Sequence, residues 1–331
     1  MNYLLVGDMH VKRDNIEESK KLIGWIADLS KKYNARVIFL GDQYNDFGLV
    51  RVEVLEFWKN AYKQIPNSIS LVGNHDLNPA GVTSSMLAHE NDTLVIGNRL
   101  TLIDENLKMY AVGFIRDNVL FSDIALAAKS LGAKILLCHA EFNGAQYENG
   151  FYAPHGVELD KVPNDIVYIS GHIHKKQDIT NKLGQVVVRY IGTPRMLTRS
   201  DIGEVKGVTL LKSDGYMEFI PTPENVCEPF KEFIIEEGQP IPKIDSSSKV
   251  FIEVKGSQDF IKKVAQTLPE NTKVRTVLKN DETKIIIKES EGLNVSFGKF
   301  FNQYAVNNKL DELTSKRILE DIYSTCPFLK Q

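Results

Sequence analysis

Met1-Asn2-Tyr3-Leu4-Leu5-Val6-Gly7-Asp8-Met9-His10, Ala35-Arg36-Val37-Ile38-Phe39-Leu40-Gly41-Asp42 and Ser68-Ile69-Ser70-Leu71-Val72-Gly73-Asn74-His75-Asp76 share one pattern. Each is a short apolar run, then a glycine, then groups able to hold a metal. Apolar runs of this length bounded by glycine read as buried strands. Between them Leu22, Ile26, Leu29 and Tyr33 recur at helical spacing. So do Val54, Leu55, Trp58, Ala61, Tyr62 and Ile65, with Pro66-Asn67 as the stop. The β-α-β-α-β order predicts an α/β core with parallel strands.

Outward from that core, short strands are expected near 94–96, 101–103 and 109–114, and a helix over 120–131. A strand over 134–138 runs into His139, and another over 166–170 runs into Gly171-His172-Ile173-His174. Segments 186–191, 207–212 and 216–220 read as a closing antiparallel set. Helices early and strands late predict two sheets packed face to face and flanked by helices, an αββα sandwich. Pro221-Thr222-Pro223-Glu224 marks a domain boundary. Beyond it, 250–254, a helix near 257–267 and strands near 273–279 and 284–288 form a small β-α-β-β unit. The chain then turns helical, with one apolar face of Phe297, Phe300, Phe301 and Tyr304 and another of Leu310, Leu313, Ile318 and Ile322. The expected domains are 1–221, 222–290 and 291–331.

Composition narrows the class. With 331 residues, 43% hydrophobic and 25% charged, the chain reads as a soluble globular protein of about two domains. No apolar run approaches the roughly 20 residues that span a bilayer. The first residues lack a basic n-region and cleavage site and read as a strand. Cys138, Cys227 and Cys326 form no CxxC pair, which argues against a disulfide framework or zinc knuckle and fits a reducing cytoplasm. A net charge of −3 means that a nucleic-acid partner would have to be held by local basic surface, metals or a partner subunit.

The chemistry lies in where the histidines fall. Five of seven, His10, His75, His139, His172 and His174, stand at strand C-termini, the edge where an α/β sheet presents its active-site loops. Period-2 alternation would turn Asp8 with His10, and His172 with His174, toward one face. Any one of these groups alone is usually structural, but their joint occurrence in order after apolar strands is hard to obtain by chance. Imidazoles, carboxylates and one amide oxygen suit Mn²⁺, Fe²⁺ or Zn²⁺ better than Ca²⁺. Seven ligand candidates, Asp8, His10, Asp42, Asn74, His139, His172 and His174, are too many for one tetrahedral ion; two ions sharing a carboxylate use them all. Two metals about 3.5–4 Å apart can polarise a phosphoryl oxygen and activate water for in-line displacement.

GDMH (7–10), GDQYND (41–46), GNHD (73–76), LCHAEFNG (137–144) and GHIH (171–174) resemble the signature segments of calcineurin-like metallophosphoesterases over about residues 1–220. The resemblance implies one metal held by Asp8, His10, Asp42 and His174. It implies another held by Asp42, Asn74, His139 and His172, with Asp42 bridging. His75 becomes the unliganded histidine that stabilises the transition state or protonates the leaving oxygen, and Asp76 its orienting partner. GNHD, Tyr190-Ile191-Gly192-Thr193-Pro194 with Leu197-Thr198, the small cap and the helical tail are similar to the SbcD-type DNA-repair nuclease subunits, in their bacteriophage recombination branch. That likeness implies an exo- or endonuclease acting on DNA with two divalent ions, Mn²⁺ ahead of Mg²⁺ or Fe²⁺. It also implies an SbcC-type, SMC-like ATPase bound through the C-terminal helices. Asn45 stands where cellular relatives often carry His or Asp, close to the DNA end, which leaves the exonuclease–endonuclease balance open.

Weaker candidates have two readings each. Asn143, Tyr147, Tyr152 and His155 either reach over substrate or form an ordinary loop. Arg189, Arg195 and Arg199 either contact phosphates or line a solvated edge. His89 reads as surface and Cys138 as a buried small hydrophobe. Helices 16–33 and 50–65 serve a homodimer interface or the core, and the tail either packs on the cap or grips a partner. Two rival functions stand beside the nuclease: a small-molecule phosphodiesterase or phosphatase of the same superfamily, and a non-catalytic adaptor for DNA ends or a partner.

Overall fold

The computed structural model describes residues 1–47, 49–77, 93–242, 249–268, 273–278, 314 and 316–318. The chain opens with β1 (Asn2–Val6), α1 (Ile16–Tyr33), β2 (Ala35–Phe39), α2 (Val52–Gln64), β3 (Ile69–Leu71) and β4 (Leu94–Ile96). These four strands pair in parallel in the order β1-β2-β3-β4. Next come β5 (Thr101–Asp104), β6 (Met109–Ala111), α3 (Asn118–Ser130), β7 (Ile135–Cys138), β8 (Val167–Ser170), β9 (Gln177–Thr180) and β10 (Val186–Tyr190). They form a second sheet ordered β5-β6-β7-β8-β10-β9, parallel at its centre and antiparallel at both edges. The chain then returns to the first sheet, where β11 (Gly207–Leu211) adds antiparallel to β1 and β12 (Met217–Pro221) antiparallel to β11.

The closing set expected over 186–220 is therefore split. β10 belongs to the second sheet, where it is parallel to β8 and hairpinned to β9, a polar strand whose weak apolar pattern hid it from sequence reading. Only β11 and β12 close the first sheet. The 109–114 strand stops at Ala111, and Gly113 and Phe114 bond instead to the turns after β4 and β3.

Strand alternation makes four layers. Tyr3 and Leu5 of β1 point between the sheets with Ile38, Leu71, Met109, Leu137 and Ile169. Leu4 and Val6 point outward with Val37 and Phe39, onto Leu22 and Ile26 of α1 and Trp58 and Tyr62 of α2. On the far side Leu136, Cys138, Tyr168 and Tyr190 meet Phe121, Ala125 and Ala128 of α3. This is the two-sheet sandwich flanked by helices. The apolar faces of α1 and α2 are absorbed by the core, where Trp58 is 1% exposed and stacks on Tyr62 with ring centroids 5.3 Å apart. Helix α1 ends on Asn34 at φ 45°, the left-handed cap that stops it before β2.

A third, small sheet follows, made of β13 (Lys231–Glu236), β14 (Val250–Gly256) and β15 (Lys273–Leu278), all parallel, with α4 (Gln258–Thr267) capped by the Ser257 hydroxyl. β13 was not expected, and the strand placed near 284–288 lies outside the described residues. Cys227 and Val226, past the expected boundary, pack on the first core. A second compact unit spans Asn280–Gln331, in which Thr314 and Lys316–Ile318 are helical; its aromatic and apolar faces at 297–313 and Ile322 lie outside the described residues. His89 lies outside them as well. Among the described residues, no helix is long and apolar enough to cross a membrane.

Candidate metal centre

The turns after β1, β2, β3, β7 and β8 meet at one edge of the sandwich, and with them all the expected ligands. Asp8, His10 and His174 offer ligand atoms within 4.8 Å of one another; so do Asp42, His139 and His172, and so do His10, Asp42 and His75. Asn74 Oδ1 completes the second group, 2.9 Å from His139 Nε2 and 2.8 Å from His172 Nδ1. Asp42 stands between the groups: its Oδ1 is 3.4 Å from His139 Nε2 and its Oδ2 is 3.6 Å from His10 Nε2.

The backbone aims these side chains by another route than strand alternation. β1 ends at Val6 and β8 at Ser170, so Asp8, His10, His172 and His174 lie on turns beyond the pleat. His10, Asp42 and His172 sit at φ 42°, 51° and 77°, the left-handed region that non-glycine residues seldom enter. Such conformations cost about 1–3 kcal/mol each and persist where surrounding structure over-determines them. Here His10 N donates to Asp42 O at 2.9 Å, His75 N to Asp42 Oδ1 at 2.8 Å and His172 N to Asp8 Oδ1 at 2.8 Å. Two glycines make room for this packing. A Cβ on Gly41 would come 2.2 Å from His139 Nδ1, and one on Gly73 would come 2.2 Å from Asp42 Oδ1.

The donor set fits a pair of divalent cations. Asp8 Oδ2 is buried without a hydrogen-bond partner, and buried carboxylate oxygens are expensive unless a cation or donor answers them. His10 Nε2 and His174 Nε2 face each other at 3.0 Å, as two lone-pair donors do around a shared cation. His139 Nδ1 lies 2.7 Å from the Leu40 carbonyl, which fixes the proton there and leaves Nε2 to face Asp42 and Asn74. Burial lowers the pKa of His10 despite the nearby Asp42. Burial works against the charge of Asp42 too, yet the imidazoles of His139, His10 and His75 hold its carboxyl well below the usual range.

His75 is arranged differently. Its Nδ1 meets the backbone carbonyl of Asn45 at 2.6 Å, while Nε2 lies 4.0 Å from Asp42 Oδ2 with the side chain a quarter exposed. Asp76 does not orient it, contrary to expectation. Asp76 is buried and its two oxygens accept from Tyr44 N at 3.0 Å and Gly73 N at 2.8 Å, stapling the β2 and β3 turns together. Burial, then the charge of Asp42, push Asp76 up to about 7 against those hydrogen bonds. The ring of Phe47, which sequence reading passed over, stacks on His75 with centroids 3.9 Å apart.

The other candidates scatter. Arg195 is 1% exposed and turned inward, donating to Ser19 Oγ and Met9 O beside Glu18, so a free phosphate contact is not what it offers. Arg189 forms a two-pronged pair with Asp178, and Arg199 pairs with Glu232 and Glu253. Asn45 turns its side chain to Asp46. Tyr147 donates to Glu141 Oε2 at 2.5 Å, whereas Tyr152 and His155 are exposed. Cys138 is buried, as expected.

A family model described as calcineurin-like phosphoesterase matches residues 1–176, slightly over half of the chain. "Exonuclease subunit 1" of Enterobacteria phage T4 is 26% identical over 242 residues, covering 67% of this chain and 68% of that protein. The solved NAD nucleotidase of Haemophilus influenzae overlaps at 14% identity and a TM-score of 0.38, over 83% of this chain and 64% of that one, so the chain spans under two thirds of its length. The matched segment holds every turn that carries a ligand, and its fold is that of a metal-dependent phosphoester hydrolase: the chain belongs to the calcineurin-like phosphoesterases.

Proposed function

We propose that the protein is a two-metal DNA nuclease that hydrolyses phosphodiester bonds as one subunit of an SbcCD-like recombination or repair complex. The observation that carries this reading is the pair of ligand groups meeting at Asp42, with His75 beside them and its Nε2 turned toward Asp42 Oδ2 at 4.0 Å. Its DNA branch is supported by the likeness to the phage exonuclease subunit.

Asp8, His10, Asp42 and His174 would hold one divalent cation and Asp42, Asn74, His139 and His172 the other, with Mn²⁺ the favoured metal. When bound, such a pair supplies an activated water and offsets phosphate charge. The chain does the rest. His75, pinned through Nδ1, presents Nε2 where it can hydrogen-bond a phosphate oxygen or protonate the departing sugar oxygen. Asp76 holds the turn that carries it. A cleft of about 870 Å³ opens from His10, His75 and His174 toward Lys12, Thr198 and Phe230, giving a polymeric substrate a path across the site. The 222–290 segment acts as the cap, and the C-terminal helices dock on the ATPase.

Mn²⁺-dependent cleavage of end-labelled duplex DNA by wild type and His75→Ala, with and without an SbcC-type ATPase, tests this. Loss in the variant is expected; equal cleavage removes the role of His75. A chain that cleaves a cyclic nucleotide but not DNA would be the small-molecule phosphodiesterase, and one that binds two ions and cleaves nothing would be the adaptor.

A further inference from the structure

The ring nitrogens that point away from the ligand groups are not left to solvent. His172 uses Nδ1 toward Asn74 and turns Nε2 to Glu141 Oε2 at 3.6 Å. His174 uses Nε2 toward His10 and turns Nδ1 to Glu148 Oε1 at 3.5 Å. The two histidines thus turn opposite ring nitrogens to the ligand groups and are backed by two carboxylates from a single loop. That loop is firmly placed. Phe142 N donates to the Tyr190 hydroxyl at 2.8 Å, Phe142 and Ala145 are fully buried, and Lys175, next to His174, donates to Gln146 Oε1 at 2.6 Å. Tyr147 donates its hydroxyl to the Glu141 oxygen that faces His172.

We propose that Glu141 and Glu148 are positioning residues, one for each metal. Glu148 fixes the ring of His174 and Glu141 that of His172, with Tyr147 holding Glu141 in place. A carboxylate behind a ligand imidazole sets which nitrogen carries the proton, limits ring rotation and raises ligand basicity. Because both ride on one loop, that loop sets the affinity of both centres, and Tyr147 serves metal binding rather than substrate contact. The proposal rests on the two-ion reading above.

Mn²⁺ titration of the full chain, followed by calorimetry and by the paramagnetic signal of free ion, tests it without reference to turnover. Wild type should bind two ions. Glu148→Gln should weaken one of them by about 10–100-fold and Glu141→Gln the other, the usual effect of removing such support. Tyr147→Phe should follow Glu141→Gln more mildly, and it tests that half on its own if Glu141→Gln fails to fold. In a His174→Ala background Glu148→Gln should cost nothing further, whereas in His172→Ala it should keep its full effect. Two undisturbed ions in both Gln variants, or a Glu148→Gln loss carried whole into His174→Ala, would overturn the proposal alone. A wild type that binds fewer than two ions overturns the two-ion reading with it.

Discussion

The Nδ1 of His75 and the main-chain carbonyl of Asn45 meet at 2.6 Å, so the catalytic candidate is hydrogen-bonded by backbone and not by the Asp76 carboxylate. It follows that Asn45→Ala should leave phosphodiester hydrolysis nearly intact. His75→Ala should lower it by about 10²–10⁴-fold, the range for a lost general acid, while both variants bind metal as wild type does. Steady-state hydrolysis of a chromogenic phosphodiester, paired with metal titration, separates these outcomes.

Phe47 lies flat against the same ring, yet its side chain is 55% exposed. Removing it frees His75 to rotate about χ2. Stacking of this kind contributes about 0.5–1.5 kcal/mol, so Phe47→Ala should reduce kcat by about two- to tenfold with little change in metal affinity. An unchanged kcat would mean that the Asn45 carbonyl suffices.

Gly41 and Gly132 both have positive φ, 108° and 82°, but differ in what surrounds them. A Cβ at Gly41 collides with the His139 ring, whereas nothing lies within 4 Å of one at Gly132. Gly132→Ala should therefore cost about 1–2 kcal/mol of stability through backbone strain alone and keep both ions. Gly41→Ala should displace His139 and lose an ion. Denaturant unfolding beside metal titration distinguishes the two.

Burial alone would lower His139, but Asp42 and Asp8, helped by the Leu40 carbonyl, hold it up to about 9. In protein stripped of metal, a raised imidazole pKa contributes stability that is full below its unfolded value of roughly 6.5 and lost as pH rises through about 9. Metal must expel that proton, so ion binding should release a proton at neutral pH and tighten as pH climbs toward about 9. Calorimetry in buffers of different ionisation enthalpy measures the release; none at neutral pH would show His139 already neutral.

Arg195 is a buried tie from the segment after β10 to Ser19 and Glu18 of α1 and to Met9 in the turn after β1. Arg195→Ala should destabilise the protein by about 3–5 kcal/mol, the usual effect of breaking a buried ion pair on one side. Thermal unfolding without substrate should already show the loss, which a phosphate-binding residue would not produce.

Much of this was legible because it depends on short-range pattern. Apolar runs closed by Gly7, Gly41, Gly73 and Gly171 announce both the strands and the edge where ligands gather. What escaped depends on distant partners. The polar strand β9 exists only because β10 pairs with it. Asp76 follows His75 in sequence, but its carboxylate turns the other way and accepts from Tyr44 N and Gly73 N. The inward path of Arg195 is decided by Glu18 and Ser19, some 176 positions away in the chain. Glu141 stands in a recognisable segment, yet nothing in the segment says that its oxygen faces His172 rather than solvent. Glu148 carries no local signal at all.

The return of the chain to the first sheet has a consequence for biogenesis. β1 is flanked by β2 on one side and by β11 on the other. A ribosome must therefore have passed Leu211, and extruded it beyond the exit tunnel, before β1 has both neighbours. Until then the open flank of β1 is a sticky ribbon, sealed only when a strand synthesised much later arrives.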